Sequence, residues 1–325
     1  MKVLVTGGTG FVGSWTAKAV QDAGHQVRFL VRSADKLARS AGAVGADVSD
    51  FVVGDITDAG SVRGALEGCD AVVHCAAMVA LGDGAAERMT RTNLEGARNV
   101  IGQAVELGIA PAVYVSSLAA VFDPGLKLLT GDLPVAQGLD AYGASKAVVE
   151  EYVRGLQETG APIHTTYPGM VVGPPAGDQL GEGTEGVRAA SRLRVIPGRQ
   201  AAWTICDVRD LARVHAALLT SGTAPRRWAA GGVQLGVADI ARALARANGH
   251  RMLRLPVPDG VLRGFGRVQD RLHLHSPLTE AAMEYYTRMP ESDNEPLERE
   301  LGVAFRDPYV TLADTVAGLR AAGRL

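Results

Sequence analysis

The chain has 325 residues, 47% of them hydrophobic, so it can bury a large core as one α/β domain or as a main domain with a smaller lobe. A formal net charge of −2 at pH 7 provides no basic footprint for nucleic acid. The chain enters an apolar run at its third residue, which leaves no room for a signal peptide. Its most apolar stretch, residues 71–81, is too short to cross a bilayer. We therefore expect a cytoplasmic protein that does not contact a membrane.

Strand-like and helix-like segments alternate through the first two-thirds of the chain. The predicted strands are residues 3–5, 25–31, 50–53, 71–74, 112–116 and 163–167, and the predicted helices are residues 11–23, 35–40, 59–67, 89–107 and 142–159. Alternation of this kind implies parallel strands joined by right-handed crossovers. We predict an α/β fold with a Rossmann-type doubly wound sheet, whose ligand lies beyond the carboxyl ends of the strands.

The pattern loosens over residues 174–200, which are rich in Gly and Pro. Regular segments return at residues 202–206, 208–219 and 235–249. From about residue 251 to the end, the pattern predicts helices and loops. We assign residues 1–173, with a return segment 201–249, to a dinucleotide-binding Rossmann domain. Residues 174–200 and 250–325 are assigned to a smaller, mostly helical substrate-binding lobe.

A glycine-rich turn joins the first predicted strand to the first helix, with Gly7, Gly10 and Gly13 spaced G-x-x-G-x-x-G. In a dinucleotide site, Gly7 takes the tight turn, Gly10 lets the backbone approach a pyrophosphate, and Gly13 lets the helix pack closely on the strand. The free N–H groups of the first helical turn then face the phosphates. An ordinary strand–helix turn is the alternative. We assign the whole turn to the cofactor: Thr6, Gly7, Gly10, Phe11, Val12 and Gly13.

The end of the second predicted strand indicates which dinucleotide fits. An acidic residue there would bind the ribose hydroxyls of NAD, but this chain has Arg32, with Lys36 close behind. A guanidinium can pair with a 2′-phosphate, so we predict that NADP(H) is preferred over NAD(H). A solvated surface arginine is the alternative interpretation.

Asp55 and Ile56 follow the third predicted strand. Asp55 can accept a hydrogen bond from the adenine amino group or cap the next helix, a cap that Asp58 or Ser61 could make equally well. Ala76 and Ala77 follow the fourth predicted strand, and their small side chains would let the backbone approach the cofactor.

The cysteines and histidines do not suggest a metal site. Cys69, Cys75 and Cys206 are odd in number and lack a short metal-type spacing, so we expect buried thiols in a reducing compartment. His74 and Cys75 are neighbours on a strand and point to opposite faces, and His273 and His275 are only two residues apart. No metal cofactor is predicted.

Tyr142 and Lys146 stand four residues apart on a predicted helix, and so on one face of it. A nearby cation favours the phenolate, so we expect Lys146 to lower the pKa of Tyr142 towards neutrality. The hydroxyls of Ser116 and Ser117 come at the end of the preceding strand, where they can polarise a carbonyl.

Four motifs, in this order, resemble the extended short-chain dehydrogenase/reductases: T-G-G-T-G-F-V-G, V-Y-V-S-S, Y-x-x-x-K and P-G-M-V-V-G-P. The resemblance covers about residues 1–220 and is nearest to the dihydroflavonol reductase and 3β-hydroxysteroid dehydrogenase branches. It implies a catalytic triad of Ser117, Tyr142 and Lys146. In that triad, Tyr142 gives a proton to a carbonyl oxygen as NADPH delivers hydride to the carbon, Ser117 hydrogen-bonds the same oxygen, and Lys146 binds the nicotinamide ribose and tunes Tyr142.

The same resemblance implies further contacts. Pro168 and Val171 would frame the nicotinamide, and Asn93 matches a position near the cofactor, with a helix N-cap as the alternative. Family members often dimerise through the two helices that start near Asn93 and Tyr142, so a homodimer is implied.

The motif after the triad serine distinguishes between reactions. Dehydratases of this superfamily typically carry Thr-Asp-Glu where this chain has Ser-Leu-Ala, and many epimerases retain NAD through an acidic residue where it has Arg32. Apolar residues near the expected pocket favour a hydrophobic carbonyl substrate; our substrate candidates are Met78, Val79, Leu118 and Gly169, with Ala80 and Leu81 alongside. We therefore predict an NADPH-dependent reductase of a ketone or aldehyde on a mainly apolar small molecule, reversible as an alcohol dehydrogenase. A sugar-nucleotide epimerase or dehydratase and a non-catalytic NADP(H) sensor are the alternatives.

A late segment forms a predicted amphipathic helix. Arginines at 263, 267 and 271 make one face, and Val261, Leu262, Phe265, Val268 and Leu272 make the opposite one. We expect the arginine face to be solvated; contact with an anionic substrate group or with a membrane surface is the alternative.

Overall fold

The structure is a computed structural model and describes residues 1–79, 85–220, 222–272 and 278–325. Its strands are β1 Lys2–Thr6, β2 Gln26–Val31, β3 Phe51–Val53, β4 Ala71–His74, β5 Ala112–Val115, β6 Leu128–Leu129, β7 Ile163–Pro168, β8 Met170–Val172, β9 Val195–Pro197, β10 Ala202–Asp207, β11 Arg227–Ala230, β12 Val233–Gly236, β13 Leu253–Leu255 and β14 Glu291–Ser292. Its helices are α1 Phe11–Asp22, α2 Ala34–Ser40, α3 Ala59–Leu66, α4 Ala85–Ala97, α5 Gln103–Glu106, α6 Ala141–Glu158, α7 Glu182–Leu193, α8 Val208–Leu218, α9 Val237–Asn248, α10 Asp259–Arg271, α11 Glu280–Arg288, α12 Glu295–Leu301 and α13 Pro308–Ala321.

Over the described ranges, seven strands form a parallel sheet in the order β11-β7-β5-β4-β1-β2-β3. The direction in which successive strands are added reverses between β1 and β4, so the crevice at their carboxyl ends is the expected ligand position. The predicted Rossmann-type fold class is confirmed.

Both faces of this sheet are covered by helices because successive residues of each strand point to opposite sides. Val3 and Val5 of β1 pack in a core with residues of α1 and α8, whereas Leu4 packs in a second core with residues of α4 and α6. These cores bury the strands almost completely, which explains why β1 and β4 are continuous apolar runs.

The predicted helix at residues 89–107 is not continuous. The structure has α4, then a π-helical turn at Arg98–Gly102, then the short α5. Two glycines permit close contacts along this stretch: a Cβ at Gly96 would come within 2.5 Å of the Ile56 side chain, and one at Gly102 within 2.5 Å of the Tyr152 hydroxyl. Neither contact can be read from periodicity.

Residues 174–200, predicted to be irregular, contain α7 and β9. Glycines in the first half of α7 weaken the helical pattern, but Gly183 is required because a Cβ there would lie 2.2 Å from the Val171 carbonyl oxygen. The Thr184 hydroxyl also bonds both the N–H and the carbonyl of Gly173, which holds the start of α7 against β8. Further on, the predicted helix at residues 235–249 starts only at Val237, because β12 includes its first two residues.

A smaller three-stranded sheet, β12-β10-β8, and helices α7, α9 and α13 share a third core. Within the return segment 201–249, α8 and β11 join the large sheet, whereas β10, β12 and α9 belong to this small one. The division into a dinucleotide domain and a substrate lobe stays a prediction. None of the described helices has both the length and the apolar content needed to cross a bilayer.

Candidate active site

The glycine turn has the close contacts that a dinucleotide site requires. Gly7 has a positive φ of 76°, and a Cβ there would lie 2.7 Å from the Ala76 nitrogen. A Cβ at Gly13 would lie 2.2 Å from the Gly7 carbonyl oxygen, so α1 packs directly on the turn. A Cβ at Gly10 would have one close neighbour, the Gly7 carbonyl oxygen at 3.3 Å, so this position is less crowded than Gly7 and Gly13 but still tight. The turn therefore fits a pyrophosphate held against the first N–H groups of α1.

A buried polar pair joins the ends of β1 and β4 beneath this turn. The Thr6 hydroxyl lies 2.7 Å from Nδ1 of His74 and accepts a hydrogen bond from the Ala76 N–H at 3.3 Å. Burial, with a smaller effect of the Lys146 charge, lowers the pKa of His74 to about 3, so this histidine is neutral. The pair holds Ala76, and Ala77 next to it, beside Gly7.

Arg32 and Asp55 lie together at the ends of β2 and β3. The Arg32 side chain is 83% exposed, and its Nη1 lies 3.9 Å from Oδ2 of Asp55. Asp55 does not cap α3, because Asp58 bonds the Gly60 N–H, while Oδ1 of Asp55 accepts from the Thr57 N–H and hydroxyl. Asp55 thus keeps one oxygen facing Arg32, at the expected adenosine position.

Three further residues that the sequence analysis assigned to the cofactor, Lys36, Ile56 and Phe11, lie in different environments. Lys36 is exposed on the first turn of α2, whose N-cap is Ser33. Ile56 packs on Gly96 of α4. Phe11 is buried, and its ring contacts Gly181 just before α7, where a Cβ would come within 2.5 Å of it. The start of α7 therefore lies directly over the glycine turn.

Of the three predicted triad residues, Ser117 follows the end of β5, and Tyr142 and Lys146 lie on α6. The Ser117 hydroxyl accepts from the Ala119 N–H at 3.1 Å, which leaves its own proton free to donate elsewhere. Lys146 is buried and donates to the Val115 carbonyl oxygen at 3.1 Å, so α6 carries it to the end of β5. Ser117 also lies near enough to the Tyr142 phenol to act on its ionisation.

The prediction that Lys146 lowers the pKa of Tyr142 is wrong. Burial, with smaller contributions from the negative charges of Glu182 and Asp140, raises the pKa of Tyr142 to about 12, although the Ser117 hydroxyl acts in the opposite direction. Burial also lowers the pKa of Lys146 to about 8. Desolvation of the charged form is the largest cause of both shifts. Tyr142 is consequently protonated at neutral pH.

Asn93 is buried in the interior of α4, which begins at Ala85, so the N-cap alternative is wrong. Its amide oxygen accepts from the Met78 N–H at 2.6 Å, and its amide nitrogen donates to the Met78 carbonyl at 3.0 Å. The same nitrogen donates to the Ser145 hydroxyl at 2.9 Å. Asn93 therefore ties the segment after β4 to the turn of α6 that carries Lys146.

A buried carboxylate lies one helical turn beyond Lys146, and sequence reasoning missed it. Glu150 accepts hydrogen bonds from the Ser116 hydroxyl at 2.8 Å, from the Tyr167 hydroxyl, and from Nε of Arg154 at 2.9 Å. The spacing Y-x-x-x-K-x-x-x-E, which places Glu150 on the same helix face as Tyr142 and Lys146, could have indicated this residue from the sequence. This network fixes the end of β5 against α6. The Ser116 hydroxyl is used in it and does not face a substrate.

Two other residues beside Tyr142 were missed because they follow no motif. Glu182 begins α7, and its charge raises the pKa of Tyr142, while burial and the charge of Asp140 raise the pKa of Glu182 itself. Glu182 is an exposed residue, yet the protein surrounds its carboxyl group closely enough to raise its pKa. Tyr285 of α11 places a buried hydroxyl 3.0 Å from where a Cβ of Gly143 would stand. Both residues come from segments assigned to the substrate lobe.

The substrate candidates have different environments. Val79 is exposed and Met78 is half-buried, whereas Leu118 is buried among apolar neighbours. Gly169 approaches backbone, since a Cβ there would lie 2.5 Å from the Gly231 carbonyl oxygen. The roles of these four residues stay predictions; Ala80 and Leu81 lie outside the described residues.

Pro168 ends β7 and pairs with Ala230, while Val171 of β8 pairs with Cys206. Pro168 thus lies at the carboxyl end of a strand of the large sheet and Val171 in the small sheet. Their contact with the nicotinamide stays a prediction.

No group of side chains that could hold a metal ion occurs in the described part of the chain, and His273 and His275 lie outside it. All three cysteines are free; Cys69 and Cys206 are buried, and Cys75 is half-buried. Burial raises the pKa of Cys75 to about 12, which makes it a poor nucleophile.

Comparison with known proteins gives matches along the whole chain. "Sterol demethylase protein B" of Methylococcus capsulatus is 29% identical and is covered over 100% of both chains. A "putative dihydroflavonol 4-reductase" of Synechocystis is 30% identical over 65% of this chain and 61% of its own. A UDP-glucose 4-epimerase of Neisseria meningitidis is 34% identical, over 48% of each chain. Among solved structures, gox2253 superposes with a TM-score of 0.82 at 27% identity, over 99% of both chains.

Fold and site together define an NAD(P)-dependent enzyme that acts on CH–OH or carbonyl groups. The model of the NAD dependent epimerase/dehydratase family matches residues 3–231. The chain belongs to that family, within the extended short-chain dehydrogenase/reductases, as its motifs predicted.

Proposed function

We propose that this protein is an NADPH-dependent reductase of a ketone or aldehyde on a mainly apolar small molecule, reversible as an alcohol dehydrogenase. The observation that carries the proposal is the placement of Ser117, Tyr142 and Lys146 at the sheet edge next to the glycine turn. The segment Ser117-Leu118-Ala119 brings no carboxylate to the serine position, which disfavours dehydration.

The ionisation of the site suits proton donation. With a pKa of about 12, Tyr142 holds its proton at neutral pH and can give it to a carbonyl oxygen. Ser117 accepts the Ala119 N–H on one of its two lone pairs and still has its hydroxyl proton to donate to the same oxygen. Lys146, with a pKa of about 8, is mostly protonated at pH 7, and its ammonium would bind the nicotinamide ribose. A bound NADPH would supply the hydride.

We propose that the cofactor is NADP(H) in preference to NAD(H). Support comes from Arg32, whose exposed guanidinium stands at the end of β2 with only a long, 3.9 Å ion pair to Asp55. A guanidinium that is exposed and only weakly paired can bind a 2′-phosphate. Lys36, one turn into α2, adds a second positive charge to this end of the site.

The apolar nature of the substrate is supported by Met78, Val79 and Leu118 near the triad. It is also supported by the sterol enzyme name borne by the relative that matches over its full length. We further propose a cytoplasmic homodimer that associates through α4 and α6, as the family resemblance implies; light scattering of the purified protein tests the dimer.

The test is NADPH oxidation, followed at 340 nm, across a panel of steroid ketones, aromatic aldehydes and aliphatic ketones. Tyr142→Phe should lower the rate by about 10²- to 10⁴-fold, because it removes a general acid, while NADPH affinity changes less than about 2-fold. Tyr309→Phe, on α13 and bonded to Asp239, is the matched control and should keep full activity. NADPH binding without turnover of any carbonyl would favour the sensor alternative, and a fully active Tyr142→Phe would overturn the triad.

An epimerase is the second candidate, because relatives named UDP-glucose 4-epimerase match about half of the chain. Such an enzyme would interconvert UDP-glucose and UDP-galactose with no net change in cofactor absorbance. Coupled detection of UDP-galactose in the same preparation separates it from the reductase.

A further inference from the structure

Helix α6 binds the end of β5 with two side chains that are four residues apart. Nζ of Lys146 donates to the Val115 carbonyl oxygen at 3.1 Å. Glu150, one turn further along α6, accepts from the Ser116 hydroxyl at 2.8 Å. Their two partners directly precede the triad serine, and the triad tyrosine lies one turn earlier on the same face of α6. Both contacts therefore set the position of this serine relative to the tyrosine.

Glu150 is itself held from several directions. It is completely buried, and it accepts further hydrogen bonds from Nε of Arg154 at 2.9 Å and from the Tyr167 hydroxyl of β7. Nη2 of Arg154 donates to the Tyr167 hydroxyl at 2.8 Å and to the Leu133 carbonyl oxygen at 2.9 Å, which closes the network. A carboxylate with three donors around it has little freedom to move, so the Ser116 hydroxyl has a fixed acceptor.

The charge of Glu150 also acts on Lys146. Burial lowers the pKa of Lys146 to about 8, and negative charge on Cys75 and on Glu150 acts in the opposite direction. Burial raises the pKa of Cys75 to about 12, so this thiol is neutral at the pH where Lys146 titrates. Of these two groups, Glu150 is therefore the one that favours the ammonium form of Lys146.

Three other titratable groups lie near Lys146 and do not ionise around pH 8. Burial lowers the pKa of His74 on β4 to about 3 and raises that of Tyr142 on α6 to about 12. The Tyr114 ring of β5 is 5.5 Å from the Lys146 ammonium, and burial raises the pKa of this phenol well above its ordinary value. We therefore assign a change in cofactor binding near pH 8 to Lys146 rather than to these groups.

We propose that Glu150 is a positioning residue: it holds the end of β5, and with it the triad serine, against α6, and its negative charge supports the Lys146 ammonium that would bind the nicotinamide ribose. This proposal rests on the triad proposed above. Glu150 acts through Ser116 and Lys146 and not on the substrate. A buried carboxylate is costly, and an apolar side chain of similar volume could fill the same space without that cost. Its two separate contacts with the site give the carboxylate a role that an apolar residue could not take.

Fluorescence titration with NADPH between about pH 6.5 and 9.5 tests the effect of the charge without any turnover. Wild-type affinity should fall above about pH 8, where Lys146 loses its proton. In Glu150→Gln the fall should begin about one pH unit lower, because the neutral amide does not favour the ammonium. Ser116→Ala keeps the carboxylate, so its affinity should fall at the same pH as that of wild type. Glu158→Gln, at the exposed end of α6, is the matched control and should also behave as wild type.

The rate with a carbonyl substrate tests the effect on the serine. Ser116→Ala should lower kcat about 10-fold at pH 7, with the KM of the carbonyl changed less than about 3-fold, because the triad serine loses one of the contacts that position it. Glu158→Gln should keep the wild-type kcat. Circular dichroism melting identifies any variant that does not fold; if Glu150→Gln is one, Ser116→Ala decides the proposal.

An unshifted fall of NADPH affinity in Glu150→Gln, or a wild-type kcat in Ser116→Ala, would overturn the proposal. Wild-type protein that binds NADPH and reduces no carbonyl, together with a shifted fall in Glu150→Gln, would refute the reductase and leave Glu150 as a positioning residue of the cofactor site.

Discussion

Replacing Lys146 with methionine should stabilise the protein while removing its activity. Lys146 is buried, and its ammonium has a backbone carbonyl, Val115 O, as hydrogen-bond acceptor and the Tyr114 ring 5.5 Å away. The fold therefore retains a charge in a desolvated position, which lowers stability. Methionine has a similar length and carries no charge.

The magnitude follows from the pKa. Burial lowers the pKa of Lys146 from 10.5 to about 8, and that difference corresponds to about 3 kcal/mol of folding free energy. The variant also loses the hydrogen bond to Val115 and the contact with the Tyr114 ring, worth about 1–2 kcal/mol together. We expect a net gain of about 1–2 kcal/mol in the free energy of unfolding at pH 7.

The pH dependence provides the sharper signature. Below pH 8, Lys146 is protonated in both the folded and the unfolded states, so the full destabilisation is present. Between pH 8 and 10.5 the folded state releases its proton first, and stability of the wild type rises relative to the variant. Above the unfolded pKa the difference caused by the charge disappears.

Urea unfolding of both proteins without cofactor at pH 7, 8.5 and 10 measures this difference. Lys127→Met is the matched control, since Lys127 is exposed and its replacement should change stability by less than about 0.5 kcal/mol at each pH. A Lys146→Met variant less stable than wild type at pH 7, or a difference that does not change with pH, would refute the reasoning.

Three further variants test the cofactor site and its supports. Arg32→Ala should raise the Kd of NADPH by about 10- to 100-fold and that of NADH by less than about 3-fold in calorimetric titrations. The control variant Arg39→Ala should change neither Kd. Equal losses of affinity for both cofactors would mean that Arg32 is only a surface residue. Asn93→Ala removes three hydrogen bonds, one of them fully buried, and should lower the free energy of unfolding by about 2–3 kcal/mol in urea; a loss under about 0.5 kcal/mol would contradict its role. Glu182→Gln removes a negative charge that raises the pKa of Tyr142, so the pKa seen in alcohol oxidation should fall; an unchanged value would mean that the carboxylate does not reach the phenol.

Local patterns predicted the part of the fold that positions the cofactor. The strands of the large sheet up to residue 167 are short apolar runs separated by helical periodicity, and both signals arise within a few residues. Gly7 and Gly13 were predictable for the same reason, because the turn that needs them is itself local. Tyr142 and Lys146 share a helix, so their common face follows from spacing alone.

Contacts between distant segments were not predictable. Asn93 was assigned to the cofactor or to a cap because its partners, Met78 and Ser145, are 15 and 52 residues away in sequence. The direction of the Tyr142 pKa shift depends on how much protein surrounds the phenol, which a helical spacing does not contain.

Helix α10 shows the same limit. Periodicity separated its arginine face from its apolar face, and Arg267 and Arg271 are exposed, as expected. Arg263 instead packs on α11, where it donates to the Thr287 hydroxyl at 2.9 Å. This contact and the approach of Gly266 to Thr279 join segments that periodicity treats separately.

The most direct test of the central claim is transfer of deuterium from NADPH that is dideuterated at C4 of the nicotinamide. We predict a product alcohol with one deuterium on its carbinol carbon, formed in equal amount to NADP⁺, and loss of both products in Tyr142→Phe. NADPH that binds but transfers no deuterium to any carbonyl in the panel, or transfer that persists in Tyr142→Phe, would contradict the account.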